Sequence, residues 1–281
     1  MSLPITVSDS FGRLVTFHDY PERIVSLAPG HTEILFRLGL AELVVGVTEY
    51  CDFPAEARAK ERIGGFATPD LDKILSLRPQ LVLATGLHQK VVEELSGRGV
   101  PVLALDPRRV SQVSEVIRLV GQVTGVDEVA DQVAVAMEEK VGWIRARVSG
   151  KTGPHPRVYF ACPYPSLTAG PGSIIHDLIT LAGGDNVAGD REGNYVDFPI
   201  HLVRQRDPEI ILFAYGEVVR EHLLGSPEWA EITAVKEGRL FLLDKGLVNH
   251  PGPRLADGLE QVARAIRPEA FVIGAESTPR E

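Results

Sequence analysis

With 281 residues the chain is long enough for a sizeable core and for two domains of ordinary size. Its hydrophobic content of 44% and charged content of 24% are those of a soluble globular protein, and a formal net charge of -9 leaves no basic surplus for general nucleic-acid binding. No apolar run approaches the ~20 residues that a membrane-spanning helix needs. The sequence passes from Met1-Ser2-Leu3-Pro4 straight into a strand-like phrase without a secretory leader, so the expectation is either a cytosolic protein or an exported one whose signal is absent here.

Residues 5–17, ITVSDSFGRLVTF, alternate as a hairpin with its turn near Ser10-Phe11-Gly12. RIVSL (23–27) reads as a short buried strand, followed by the turn Ala28-Pro29-Gly30 and a helix from His31 to Leu38 that stops at Gly39. VVGVT (44–48) is the next strand and delivers Tyr50, Cys51, Asp52, Phe53 and Pro54 in a loop. A helix over 70–77, a strand over 81–85, a helix over 90–96 and a strand over 101–105 follow. Apolar strands of four or five residues alternating with helices predict an α/β fold with a parallel sheet covered on both faces.

The stretch 125–150, GVDEVADQVAVAMEEKVGWIRARVSG, predicts one long helix with an apolar stripe of Val129, Val133, Met137, Val141, Ile144 and Val148. Asp127 is placed to cap its start, and Arg145 and Arg147 lie late, as the helix dipole prefers. Some 23 residues would reach about 35 Å. Such a helix is either a strut between two lobes or a packing helix within one larger domain.

After a Gly/Pro linker over 151–156 the same alternation resumes. Strands are expected at 157–161, 209–215 and 239–244, and helices at 174–181, 199–206, 217–224, 227–235 and 254–266. LSLRPQLVLAT (75–85) and VRQRDPEIILFAY (203–215) share a helix–proline–strand phrase, and TEILFRLGLAELVVG (32–46) is similar to IIHDLITLAGGDNVAG (174–189). Two shared phrases in the same order suggest paired lobes of like topology. The expected domains are therefore an N-terminal α/β lobe over 1–124, a connecting helix over 125–150 and a C-terminal α/β lobe over 151–281. Each lobe should be a mainly parallel sheet flanked by helices. Ligands of open α/β units sit beyond the carboxyl ends of the strands, so a cleft between two lobes is the expected site.

The chain lacks a G-x-S-x-G elbow, a Walker loop, H-E-x-x-H and a well-placed G-x-G-x-x-G. His31-Thr32-Glu33 could mark a catalytic turn, but fits a helix start equally, and no catalytic residue is assigned. His31, His88, His176, His201 and His250 form no short-spaced pair, so no metal site or resident cofactor is expected. Cys51 and Cys162 flank the long helix and are expected to be free, a bridge being the alternative. Tyr50, Phe53, Phe66, Tyr164, Tyr195 and Phe198 fall in loops that would border the cleft, where flat rings can cover a large apolar ligand.

The phrase RIVSLAPGHTEILFRLGLAELVVGVTEYCDFP (23–54) resembles the substrate-binding proteins of ABC importers for cobalamin, haem and iron-siderophores, in which one long helix joins two lobes. PDLDKILSLRPQLVLAT, SLTAGPGSIIHDLITLAGGDNV and PGPRLADGLEQVARAIRPE continue the likeness in order over nearly the whole chain. TEYCDFP is most similar to the cobalamin-binding branch. The resemblance implies a non-enzymatic, monomeric protein that captures a corrinoid or another metal chelate and delivers it to a permease dimer in the membrane. It would be periplasmic or otherwise extracytoplasmic, a membrane-anchored lipoprotein included; a cytosolic corrinoid carrier is the alternative.

In that branch the cleft aromatics correspond to Tyr50, to Phe66 and Tyr195 where tryptophans are familiar, and to Leu167 where a relative has an aromatic. With Tyr164, Phe198 and His31 these are the expected ligand-binding residues. A ferric siderophore would call for a cation such as Arg191, and haem for a ligand such as His31 or Tyr50. Asp72 matches the acid with which the first lobe docks on the permease, whereas His201 stands where the second lobe's acid is expected, with Asp197 or Glu209 as substitutes.

Overall fold

The computed structural model describes residues 3–150, 153–164 and 166–272. Strands β1 (Ile5–Ser8) and β2 (Leu14–Phe17) form an antiparallel hairpin in register Ile5 to Phe17. Then come β3 (Ile24–Ser26), α1 (Pro29–Arg37), β4 (Val44–Val47), α2 (Leu71–Ser76), β5 (Leu81–Ala84), α3 (Gln89–Gly97), β6 (Val102–Ala104) and α4 (Val110–Thr124). Helix α5 (Asp127–Ser149) leads to β7 (Arg157–Ala161), β8 (Leu167–Ala169), α6 (Ile174–Leu181), β9 (Asp185–Asn186), β10 (Tyr195–Asp197), α7 (Ile200–Arg206) and β11 (Ile210–Phe213). The chain closes with α8 (Glu217–Gly225), α9 (Thr233–Lys236), β12 (Leu240–Leu242), α10 (Lys245–Val248) and α11 (Leu255–Ile266).

The described residues fall into two compact units, one within Met1–Glu138 together with His250–Arg254, the other within Glu139–Asn249 together with Leu255–Glu281. This is the two-lobed α/β architecture with a long helix that the sequence predicts. The boundary falls inside α5, and the short segment 250–254, expected in the second lobe, packs with the first.

Each unit holds a four-stranded parallel sheet, in the order β4-β3-β5-β6 in the first and β9-β7-β11-β12 in the second. Numbered in chain order within the sheet itself, each reads 2-1-3-4, so the shared phrases are the trace of one repeated topology. The shared proline phrase keeps its geometry too. Arg78 (φ 47°) and Asp207 (φ 42°) each take a left-handed backbone before a proline and end the preceding helix. One residue past each proline, Gln80 N–H donates to Arg23 O at 2.8 Å and Glu209 N–H to Arg157 O at 2.9 Å.

The central strands are buried on both faces, which is why β5 and β11 are apolar throughout, and β3 apolar but for Ser26, rather than alternating. In the first unit Val25, Leu27, Ile63, Ile74, Val82 and Leu95 share a core. In the second, Tyr159, Phe198, Val203, Ile211, Phe213 and Trp229 do so.

Several expectations change. Helix α1 begins at Pro29 rather than His31, because proline suits the first helical position, where its missing N–H is no loss. Helix α4 is unforeseen, although Val110, Val113, Ile117 and Val120 carry its period and are buried. Along α5 the buried positions are Ala130, Ala134, Met137, Ile144 and Val148; Val129 is exposed and Val133 only partly covered. The N-terminal half of the stripe is therefore alanine. A Cβ at Gly121 of α4 would lie 2.2 Å from the Ala130 Cβ, and so close an approach has no room for valine at 130. Asp127 is the first helical residue and lies in the positive first turn. Of the expected helix over 227–235 only the last three residues are helical, as the start of α9, which runs Thr233–Lys236. The paired β8 and β10, and β9 and α10, were not foreseen. Lys151 and Thr152 of the expected linker lie outside the described residues. Both cysteines are free thiols, Cys51 buried and Cys162 partly so.

Candidate functional site

In a 2-1-3-4 sheet the chain reverses its direction of travel between the first and third strands, and loops leaving those carboxyl ends splay apart to leave a crevice. In the first unit these ends are β3, running into α1, and β5, running into Thr85-Gly86-Leu87-His88. A capping interaction shapes the latter. Thr85 N–H donates to His88 Nδ1 at 3.0 Å, so Nε2 bears the proton and donates to Phe66 O at 2.7 Å. The Phe66 ring meets that imidazole edge-on at 5.2 Å, half-buried. Burial holds the His88 pKa below its ordinary value.

His31 lies in the first turn of α1, 2% exposed, with Nε2 3.1 Å from Leu105 O. Its Nδ1 has no hydrogen-bond partner among the described residues. Burial pushes its pKa down to about 4, so the ring stays neutral at physiological pH. As folded it is a core histidine, and the expected role of His31 in holding ligand does not fit its enclosure.

Segment 250–254 lies against the start of α1: a Cβ at Gly30 would stand 2.5 Å from Pro251 O. Arg254 donates from Nε to Glu33 Oε2 and from Nη2 to Glu33 Oε1, both at 2.8 Å, a two-pronged pair with a buried carboxylate. The guanidinium also stacks 3.4 Å from the Phe53 ring centre, and His250 Nδ1 is 3.5 Å from Glu33 Oε1. Glu33 is thus engaged by Arg254 and not presented as a free base. Phe53 is committed to covering that pair, with one face left to solvent. The sequence alone does not show this cluster, because its members are joined only by the fold.

Beyond β4 the loop presents Tyr50, which is 58% exposed, between buried Thr48 and Cys51. Burial pushes the Cys51 thiol pKa up, and hydroxyls of Thr32 and Thr48 lie 3.1 and 3.2 Å from its sulfur.

In the second unit the corresponding ends are β7, running into Cys162-Pro163-Tyr164, and β11, running into Ala214-Tyr215. Tyr164 is 69% exposed, and Tyr215, also exposed, accepts from Asn249 Nδ2 at 3.2 Å. Burial pushes the Cys162 thiol up to about 12, so it is an inert neutral group. The β8–β10 pair sets Leu167 opposite Asp197 and Tyr195 opposite Ala169, leaving Tyr195 47% exposed and Leu167 half-buried. Phe198 is a correction. It is 0% exposed in the core beside Tyr159, one residue past the strand, and cannot meet a ligand from outside. The partly buried Arg191 guanidinium lies 5.7 Å from the centre of this ring, with no hydrogen bond at Nε among the described residues.

Asp72 is exposed in the first turn of α2 and His201 in the first turn of α7. Glu209 is tied to Arg157, with its carboxylate 2.9 Å from that residue's N–H, whereas Asp197 is exposed. The expected aromatics thus divide into exposed Tyr50, Tyr164 and Tyr195, half-buried Phe66, and enclosed Phe198.

A family profile described as periplasmic binding protein matches residues 24–247. An uncharacterized ABC transporter substrate-binding lipoprotein of Bacillus subtilis, YvrC, is 30% identical over 276 residues, 95% of this chain and 87% of its own. The vitamin B12-binding protein of Vibrio cholerae is 27% identical over 248 residues, 88% of this chain and 89% of its own. Its crystal structure, BtuF, superposes with a TM-score of 0.80 at 26% identity, covering 89% of this chain and 98% of that one. The periplasmic heme-binding protein RhuT from Roseiflexus sp. RS-1 does so with a TM-score of 0.80 at 27% identity, covering 89% and 99%. With two like-built parallel units, a long helix between them in sequence, and a match that runs from β3 to α10, the chain belongs to the periplasmic binding protein family, the substrate-binding components of ABC importers.

Proposed function

We propose that this chain captures a corrinoid outside the cytoplasm and hands it to a membrane permease dimer, acting as a monomeric carrier rather than as an enzyme. The observation that carries the corrinoid reading is the 27% identity to a vitamin B12-binding protein across 248 residues, a span that includes the Tyr50 and Tyr195 segments. The site chemistry agrees with it. Tyr50 and Tyr164, past the carboxyl ends of parallel strands, and Tyr195, on the β8–β10 pair, offer large, flat, amphipathic surfaces, and such rings cover a big planar ligand with little loss of conformational entropy. The buried His31 and His88 are poorly placed to ligate a metal, which suits a ligand whose metal is already coordinated. An extracytoplasmic location follows the lipoprotein relative, and no helix among the described residues is long and apolar enough to cross a membrane.

A second reading, haem as cargo, is favoured by the likeness to the heme-binding protein at 27% identity, and by exposed tyrosine hydroxyls that could ligate ferric iron. Titration of the chain with cyanocobalamin and with haem separates the two. The corrinoid reading expects saturable cyanocobalamin binding that is weakened by Tyr50→Ala. The haem reading expects a sharpened Soret band that one Tyr→Phe substitution abolishes.

A further inference from the structure

The Tyr50 loop is a turn whose ends are buried and whose middle projects. Cys51 N–H donates to Thr48 O at 3.1 Å; Thr48 and Cys51 are fully enclosed, and Glu49 and Tyr50 between them are exposed. Such a turn presents its central residues in one direction only while its ends stay fixed. Both ends carry backbone carbonyls at buried positions, and buried acceptors need donors.

Arg62 serves both from a single nitrogen. Its Nη1 donates to Thr48 O at 2.7 Å and to Cys51 O at 3.0 Å. The side chain is delivered by a strand-like stretch lying along β4: Val47 N–H donates to Glu61 O at 2.9 Å, Ile63 N–H to Val47 O at 3.0 Å, and Glu49 N–H to Gly64 O at 3.0 Å. No carboxylate forms an ion pair with Arg62 among the described residues, so its charge is directed at the two carbonyls. The Cys51 thiol rests against the hydroxyls of Thr32 and Thr48. The turn is therefore held at both of its ends, and Tyr50 is carried between them.

We propose that Arg62 is a positioning residue for the ligand-binding turn: by bridging the carbonyls of Thr48 and Cys51 it fixes the direction in which Tyr50 is presented, and so sets ligand affinity through Tyr50. The affinity half of this inference rests on the corrinoid reading; the turn half does not. Because both bonds leave one nitrogen, a lysine ammonium can make them, whereas a methionine keeps the stem and loses both.

Hydrogen exchange by mass spectrometry over 47–54 and cyanocobalamin titration of the full chain test it with R62M, R62K, Y50A and the R62M/Y50A double variant. R62M is expected to speed exchange of the Cys51 amide and its neighbours about tenfold, leave the rest of the first unit protected, and weaken cyanocobalamin about tenfold, with R62K restoring most of both. In the Y50A background R62M is expected to cost less than about twofold, since its action passes through the missing ring. Unchanged exchange in R62M overturns the proposal. So does exchange raised evenly across the unit, or a loss of affinity that is undiminished without Tyr50. Failure of the wild-type chain to bind cyanocobalamin removes the corrinoid reading, while the exchange result still decides whether Arg62 holds the turn.

Discussion

Glu33 and Arg254 stand 221 residues apart in sequence, yet they form the best-enclosed ion pair of the first unit's site edge. Their exposure is unequal, at 3% of side-chain area for Glu33 and 26% for Arg254, and this makes their removal unequal. Arg254→Met leaves a buried carboxylate without its partner and should destabilise the chain by ~3 kcal/mol. Glu33→Gln leaves a guanidinium that can reach water and should cost only ~1–2 kcal/mol. Urea denaturation monitored by circular dichroism checks the order; equal effects would contradict it. His31 supplies a second test at this scale. Its folded pKa, about 4, lies below the ordinary histidine value of 6.5, so between these pH values the unfolded chain takes up a proton that the folded chain refuses. Stability should therefore fall as pH drops through that window, by ~3 kcal/mol from this group at the acid end. His31→Gln, which keeps a donor for Leu105 O, should flatten the fall, and an unchanged pH profile of urea midpoints would contradict the assignment.

At the scale of elements, what was legible followed from local pattern. Short, mainly apolar strands and the stop of α1 at Gly39 are each written in a few adjacent residues, and they fold as written. What was missed depends on partners distant in sequence. Val129 and Val133 looked like the inner face of α5 because they are larger than Ala130 and Ala134. The inner face is instead set by Gly121, which brings α4 so close that only alanine fits. The same reasoning explains Phe198. A loop aromatic next to a short strand looks like a ligand platform until Tyr159 and the second core enclose it. The roles of Arg62 and Arg254 are absent from the sequence reading because the carbonyls and the carboxylate they serve come from elsewhere in the chain. Gly121→Ala should lower stability by ~1–2 kcal/mol, its overpacking outweighing the ~1 kcal/mol gained in helix propensity. Combined with Ala130→Gly it should regain part of that loss. A thermal midpoint raised by Gly121→Ala alone would show that the two helices part without cost.

At the scale of the whole molecule, the repeated 2-1-3-4 sheets give two like-built edges, one carrying Tyr50 and Phe66 and the other Tyr164 and Tyr215, with Tyr195 on the separate β8–β10 pair. Repetition supplies the scaffold, and the residues grafted on each copy supply the function. Permease docking belongs to this scale as well. Asp72, which we propose as a docking residue, is exposed on α2, and rim charges at an interface govern the rate and register of association more than affinity for cargo. Asp72→Lys should slow uptake into vesicles containing the cognate permease, most strongly at low salt, and leave ligand affinity unchanged; equal uptake would remove Asp72 from the docking surface. The central claim, that the cargo is a corrinoid, is tested most directly by calorimetric titration of the full chain with cyanocobalamin beside haem. Saturable one-to-one heat with cyanocobalamin and a co-eluting visible spectrum is the predicted result. Absence of heat at tens of micromolar, with saturation by haem instead, would contradict it.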